Sequence, residues 1–558
     1  MGVVSDNDEL RAGLERFWDT ESLGIVQNEE DVRFNPTVKF TGERYEVNLP
    51  WKEGHPILPD NFRNSKIRVD GLLRKLKKNP ELAETYTQII AQQEAEGIIE
   101  RVHEEGEVGN TFYLPHHPVI RQDKSSTKVR VVYDGSSREN GVSLNDCLQG
   151  GQSRFTDLFS VLLRFRTHKF CVSADLEKAF LQVGIQEDDR DLLRFLFYED
   201  IHAESPKLIT FKFKRVCFGI NSSMALLGSA IDAHFEKNRE QNPSLIKSLE
   251  DGLYVDDVVT GAETKEEILK IHDEGRELFR KAGMNLRKWR TNLKEVRSDF
   301  EEENLAPPDE KFAAEDRGYA QTVLENPHSC SQEKILGIPW NSDTDELCLS
   351  LTEIGHRGLA LPKTKRNILS LSASEFDPFG FMCPVIIVLK ILFQKICESK
   401  GGWDDEVEEP IRKRWVEWCE SAILMPAVSV PRHFIFPKDS IVSVHLVGFS
   451  DTSKDAYAAV VYLVSTKCRG EKASHICAAK SRVSPIAKQS IPRLELLGAL
   501  ILSRLTKSVK RVLEEVVEIK YTTHCSDSQA ALAWIKNTNG TYKQYVQENN
   551  TYRIGQKR

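Results

Sequence analysis

Three aspartates stand where strand-like segments run out. Phe170-Cys-Val-Ser-Ala is apolar and ends on Asp175, and Leu253-Tyr-Val leads into Asp256-Asp257, followed by Val258-Val-Thr-Gly261. Two β-rich arms around a polar pair predict a hairpin with the paired Asp at its tip. Packed side by side in one sheet, the two segments bring Asp175 near Asp256 and Asp257. Carboxylates that close repel strongly unless a cation lies between them. Hard oxygen ligands suit Mg²⁺, which keeps waters and bridges substrate phosphates. Two such ions can clamp the attacking and leaving oxygens of an in-line phosphoryl displacement. Spacing alone leaves a bland alternative open, because Asp-Asp is also a common solvated turn.

A second acidic set lies near the other end. Asp451 follows the strand-like IVSVHLVGF, Glu495 sits on a helix opened by Pro492, and Asp527 ends VEIKYTTHC before the helical SQAALAWI. Carboxylates at strand ends plus one on an adjacent helix can converge on metal. Alone, each acid reads as a surface residue. Lys128 and Arg130 are i, i+2 on a strand and therefore share a face. His116 and His117 have no further ligand cluster around them and read as structural.

The elements that must position these residues follow from periodicity. Residues 61–100 have helical spacing, with Leu72, Leu73, Leu76, Ile89, Ile90 and Ile98 on one side and Arg74, Lys75, Lys77 and Lys78 on the other. That basic cluster is either a solvated face or a template-strand contact. Strands are expected at Lys128–Tyr133, Lys169–Ala174, Leu208–Lys214 and Leu253–Gly261. LRAGLERFW near the start has helical spacing, and Glu301–Asp316 reads as an acidic surface insertion. From about Thr364 to Leu424 the sequence is helical and aromatic, with Trp415 and Trp418 one turn apart as core residues. After Pro431, IVSVHLVGF, YAAVVYLV and VEIKYTTHC read as strands with helices between them, a second α/β domain.

Composition sets the frame. The chain has 558 residues, 40% hydrophobic and 29% charged, with a net charge of −8. That balance is globular and excludes a broadly basic, histone-like binder, while leaving room for a nucleic-acid enzyme with acidic metal sites. The 11 Cys form no C-x-x-C pair, which argues against zinc ribbons and redox motifs. The acidic start, MGVVSDNDEL, lacks an apolar h-region, and the apolar run near Phe379–Phe393 contains Pro384 and Lys390. Neither reads as a signal peptide or a membrane span.

The wording of the motifs carries a resemblance. Tyr254-Val255-Asp256-Asp257 resembles the Y-x-D-D box of reverse transcriptases, and Ser173-Ala-Asp175-Leu-Glu-Lys-Ala-Phe180 resembles their first palm motif. YLPHHPVIR, KVRVVYDGSS, CFGINSSMALL, NLRKW and LGIPWN follow in the family's order. Thr364–Gln394, with IPRLELLGAL, resembles the BEL/Pao long-terminal-repeat retrotransposon polyproteins. The resemblance implies a right-hand polymerase of mixed α/β (α+β) class, with fingers, palm and thumb. A helical connection and a C-terminally truncated ribonuclease H-like domain follow.

It also implies residue roles. Asp175, Asp256 and Asp257 would hold two Mg²⁺ or Mn²⁺ ions. Lys128 and Arg130 match positions that grip the incoming triphosphate, Phe180 matches a gate that excludes a ribose 2′-OH, and Tyr254 flanks the nucleotide. Gly219 would let backbone approach the nucleotide or template closely. Met224 stands where relatives often carry Pro. Asp451, Glu495 and Asp527 match three of the ribonuclease H ligands. The chain ends soon after Asp527, at Arg558, and the tail ENNTYRIGQKR does not continue the pattern. Hydrolysis of RNA in a hybrid is therefore expected to be impaired.

The expected layout is an N-terminal extension over 1–60, fingers and palm over 61–300, thumb and connection over 301–437, and the partial ribonuclease H-like domain over 438–558. The expected partners are an RNA template, a DNA or RNA primer and deoxynucleoside triphosphates, with no membrane and no small-molecule cofactor. A cytoplasmic setting, virus-like particles included, goes with them. Two other readings stand against the polymerase. One is a catalytically inactive, co-opted relic that binds nucleic acid. The other is a nuclease acting through the second acidic set alone.

Overall fold

The computed structural model describes residues 36–107, 109–120, 129–151, 157–303, 334–399, 401–435, 441–468, 470–487 and 489–536. The expected LRAGLERFW helix, Lys128, most of the acidic insertion and the tail after Lys536 lie outside the described residues. The described chain divides into two compact units. One lies within residues 30–156 and 172–323, the other within 157–171 and 324–558.

In the first unit, the short antiparallel strands Val38–Phe40 and Tyr45–Val47 precede helices α1 (Phe62–Lys78) and α2 (Pro80–Ala95). Asn79 separates them, its side chain accepting the Leu82 N–H while Pro80 starts the second helix. Leu72, Leu76 and Ile90 are buried, as the periodicity predicts. Strand β1 (Ile99–Val102) joins a three-stranded antiparallel sheet, while β2 (His116–Ile120) and β3 (Val129–Tyr133) form a separate antiparallel pair. Helix α3 (Leu158–Phe165), LFSVLLRF, belongs to the second unit.

Strand β4 (Phe170–Leu176) returns the chain to the first unit. Strands β5 (Arg194–Glu199) and β6 (Lys207–Phe213) complete the sheet with β1, in the order β1-β6-β5. Helix α4 (Ser223–Asn238) leads towards the short hairpin of β7 (Leu253–Tyr254) and β8 (Asp257–Ala262). Helix α5 (Lys265–Lys281), opened by a Thr264/Glu267 capping box, packs on β8 and on β9 (Leu286–Thr291). The four strands that matter for the site lie in the order β7-β8-β4-β9.

The second unit combines a helical part and a sheet. Helices α6 (Thr352–Ala360), α7 (Lys365–Ser372), α8 (Cys383–Glu398) and α9 (Glu409–Leu424) bury Trp415 and Trp418 in one apolar cluster with Leu389 and Ile396. Strands β10 (Ile441–Thr452), β11 (Ala456–Lys467) and β12 (Lys472–Val483) run antiparallel in sequence. Helix α10 (Ile491–Leu513) crosses to β13 (Ile519–Cys525), which pairs parallel with β10, and α11 (Gln529–Lys536) follows. The sheet order is β12-β11-β10-β13.

Two expectations need correcting here. No helix separates the first two of these strands, because Ser453-Lys454-Asp455 turns the chain directly. A further strand, β12, lies where the sequence reading places none. Apart from Ile476 its middle, Ile476-Cys-Ala-Ala479, has small residues, and Lys472, Lys480 and Arg482 flank it, so it lacks a strong strand signature. Pairing with β11 along its length holds it instead.

The helical part and the sheet share one interior. The Phe379 carbonyl accepts the Ala479 N–H at 2.7 Å, so the segment before α8 covers the outer strand β12. Arg166, 1% exposed, donates to the carbonyls of Ile476 and Cys477 at 3.0 and 3.2 Å and lies over the rings of Phe379, Phe381 and Phe434. Arg432, wholly buried, pairs with Asp345 and donates to the carbonyls of Phe165, His168 and Lys169. Both guanidiniums bind carbonyl oxygens that would otherwise be buried without donors.

Candidate active site in the four-stranded sheet

Asp175 is the penultimate residue of β4. Asp256 lies in the two-residue turn between β7 and β8, and Asp257 opens β8, paired across the hairpin with Tyr254. The Leu176 N–H donates to the Asp256 carbonyl at 2.7 Å, tying the turn to the end of β4. All three aspartates are under 9% exposed. Val255, the first turn residue, has φ +59 and is buried. A β-branched residue there is an outlier, and a strained tight turn is what brings Asp256 round towards β4.

The charges interact. Burial raises the Asp257 carboxyl well above the usual range, and Asp256 and Asp175 raise it further, while Lys288 and Arg290 oppose them. Strand β9 supplies that opposing charge. Its Arg287 is the cross-strand partner of Asp175, and the Arg287 Nε and Lys288 Nζ lie 3.6 and 3.7 Å from the same Asp175 oxygen. Glu177 accepts from Arg287 Nη1 and from Asn285 Nδ2, each at 2.9 Å. Sequence reasoning passed over Glu177, Arg287 and Lys288. The signal available was their charge, two residues past Asp175 and inside NLRKW.

The remaining expected residues that are described fall in the same unit. Phe180 is 2% exposed and meets Phe218 edge-to-face, centroids 4.8 Å apart. Arg130 lies on β3, half-buried, opposite Val119. Gly219 has φ +102, and its close neighbour is the protein itself. A Cβ there would fall 2.1 Å from the Tyr133 carbonyl oxygen, and the Gly219 carbonyl accepts from Gly135 N–H and Asn145 Nδ2 at 3.2 Å each. Gly219 thus welds its loop to the turn after β3. His116 is built into the wall, its Nε2 2.7 Å from the Leu196 carbonyl and its ring beside Tyr86, and burial lowers its pKa to about 4.

The second acidic set converges. Asp451 near the end of β10, Glu495 in the first turns of α10 and Asp527 between β13 and α11 place one oxygen each within 4.8 Å of one another. Asp451 and Asp527 are exposed and Glu495 is buried. Its Oε2 accepts no hydrogen bond, and burial, then Asp527 and Asp451, raise its pKa. Gly448 lets α10 approach β10, since a Cβ there would meet Leu502 Cδ1 at 2.5 Å. Both acidic sets offer only carboxylate oxygens, a donor set that suits hard divalent cations.

Two segments of the chain match known protein families. Residues 124–310 match the family model of the reverse transcriptase (RNA-dependent DNA polymerase), and residues 364–528 match the Pao retrotransposon-like RNaseH-like domain. Among curated proteins none matches. A foamy viral protease-reverse transcriptase solved in complex with an RNA/DNA hybrid is similar in fold, with 15% identity and a TM-score of 0.52 over 98% of this chain. The chain spans 60% of that protein's length. A second foamy viral structure, in complex with double-stranded DNA, has 15% identity and a TM-score of 0.48, covering 84% of this chain and 66% of its own. Divalent metals are general to reverse transcriptases. Among the described residues no helix is long and apolar enough to cross a membrane. The chain carries a reverse transcriptase domain followed by a ribonuclease H-like domain of the Pao retrotransposon type.

Proposed function

We propose that this chain is the RNA-directed DNA polymerase of a retrotransposon, extending a DNA or RNA primer on an RNA template from deoxynucleoside triphosphates. The observation that carries the reading is the burial of Asp175, Asp256 and Asp257 around one strained turn, inside the segment that matches the reverse transcriptase model. Two Mg²⁺ or Mn²⁺ ions would suit those carboxylate oxygens, and when bound they would activate the primer 3′-OH and neutralise phosphate charge.

The chain's own residues do the rest. Asp175, Asp256 and Asp257 supply the ligands on a rigid sheet, so their positions cost little reorganisation. Arg130, with Lys128 two residues before it in the sequence, would bind the triphosphate. Phe180, packed against Phe218, would stand under the sugar and exclude a 2′-OH. A copying enzyme reads backbone and shape rather than base edges, so a cationic lining rather than a base-specific one is required. A cytoplasmic setting fits this activity.

Convergence of Asp451, Glu495 and Asp527 favours a second, separate activity, metal-dependent cleavage of RNA in a hybrid. Both are tested by Mg²⁺-dependent primer extension on an RNA template, with hybrid cleavage followed in the same reaction. Asp256→Asn should lower extension by orders of magnitude and leave cleavage intact. Asp451→Asn should do the reverse. Extension unchanged in Asp256→Asn would refute the polymerase reading. Hybrid binding without extension in the unmodified chain would favour a binding relic.

A further inference from the structure

The bulge in β9 places two consecutive cations on one carboxylate. Successive side chains of a regular strand point to opposite faces, so Arg287 and Lys288 could not both reach Asp175 in an unbroken strand. The pairing of β9 with β4 shifts register between Arg287 and Arg290, and Lys288 has φ +56. Bulges next to functional sites re-aim side chains in this way. Both cations end 3.6–3.7 Å from Asp175 Oδ2, close enough to compete with a metal ion for it.

Arg287 stops short of a hydrogen bond to Asp175. Glu177 holds its Nη1 at 2.9 Å, and the Nε and Nη2 of Arg287, although buried, have no hydrogen-bond partner. Glu177 is itself fixed at both ends of the residue. Its Oε2 accepts from Asn285 Nδ2 at 2.9 Å, and its N–H donates to the Asn285 carbonyl at 2.9 Å.

We infer that Glu177 is a positioning residue that holds Arg287 off Asp175 and thereby keeps the carboxylate open to a divalent cation. Without Glu177, the guanidinium fork would turn onto Asp175 and close a two-pronged ion pair, the strongest geometry open to it. The metal would then have to displace that pair. The inference rests on the reading of Asp175, Asp256 and Asp257 as a metal site.

The test is Mn²⁺ binding to the metal-free full chain, followed by electron paramagnetic resonance of free Mn²⁺. An Asp451→Asn background removes the second acidic set, and circular dichroism checks each variant's fold. Glu177→Gln should weaken Mn²⁺ binding by about tenfold or more, in line with one charge-assisted hydrogen bond gained by the competitor. Glu177→Gln with Arg287→Met should recover most of that loss, because the competing guanidinium is gone. A merely structural role for Glu177 would leave the double variant as weak as the single one, or weaker. Unchanged affinity in Glu177→Gln, or no recovery in the double variant, would overturn the inference. Failure of the underlying reading has its own signature: Asp256→Asn, in the same background, would then bind Mn²⁺ as the unmodified chain does, and the inference would fall with it.

Discussion

Gly219→Ala and Gly42→Ala form a matched pair of perturbations. The two glycines have nearly the same backbone, φ +102 and +103, but very different surroundings. Around Gly42 an added Cβ meets nothing within 4 Å, so Gly42→Ala tests the backbone conformation alone. Holding an L-residue there costs about 1–2 kcal/mol. Around Gly219 the same Cβ would lie 2.1 Å from the Tyr133 carbonyl oxygen and 2.8 Å from its carbon. Tyr133 cannot yield easily, because it is the last residue of β3 and is paired with His116. The 219 loop must back away instead, and the two 3.2 Å hydrogen bonds to the Gly219 carbonyl are then lost.

At about 1 kcal/mol for each hydrogen bond, plus about 1–3 kcal/mol for overpacking, Gly219→Ala should cost about 3–5 kcal/mol more than Gly42→Ala. For a urea slope of about 3 kcal/mol/M, that separates the two midpoints by more than about 1 M. Urea unfolding followed by circular dichroism measures it. Midpoints within about 0.2 M of each other would refute the reasoning, because they would mean the close approach to Tyr133 costs nothing.

Two further perturbations probe the second unit. Arg166→Met should destabilise it by about 2–6 kcal/mol, at about 1–3 kcal/mol for each of the Ile476 and Cys477 carbonyls left without this donor; thermal unfolding of the sheet signal is the readout. Glu375→Gln addresses pH. Burial first, then Asp377, pushes the Glu375 carboxyl from the usual 4.5 up to about 8. An acid whose folded pKa is raised contributes stability that is fully present below about 4.5 and is lost as pH rises through about 8. The melting temperature of Glu375→Gln should therefore exceed that of the unmodified chain above pH 8, with the gain shrinking towards pH 4.5. An equal difference at both ends would show that Glu375 does not titrate in that window.

Much of the site was legible in the residues themselves. A tight turn needs few residues and a local geometry, so Tyr254–Asp257 declared its hairpin, and Phe170–Asp175 declared its strand. Pro492 marked the start of the helix carrying Glu495. These features are local, set by backbone propensity and side-chain period over a few residues. The motif order then assigned both acidic sets to named domains, and the family matches agree.

What local pattern could not reach was everything that depends on partners distant in sequence. Strand β12 has little intrinsic preference and exists through its pairing with β11 and its cover from Phe379. Nothing local to Arg166 or Arg432 marks them as interior; burial against carbonyls and rings from residues far along the chain makes them so. The close approach that requires a glycine at 219 is likewise made by a distant residue, Tyr133, 86 residues earlier. Arg287 and Lys288 face Asp175 because one register shift in β9 breaks the alternation that sequence reading assumes. Side-chain chemistry and turn geometry are short-range, so the residues alone single out the two carboxylate sets. The charges that oppose them depend on the register between strands more than a hundred residues apart, which no local pattern carries.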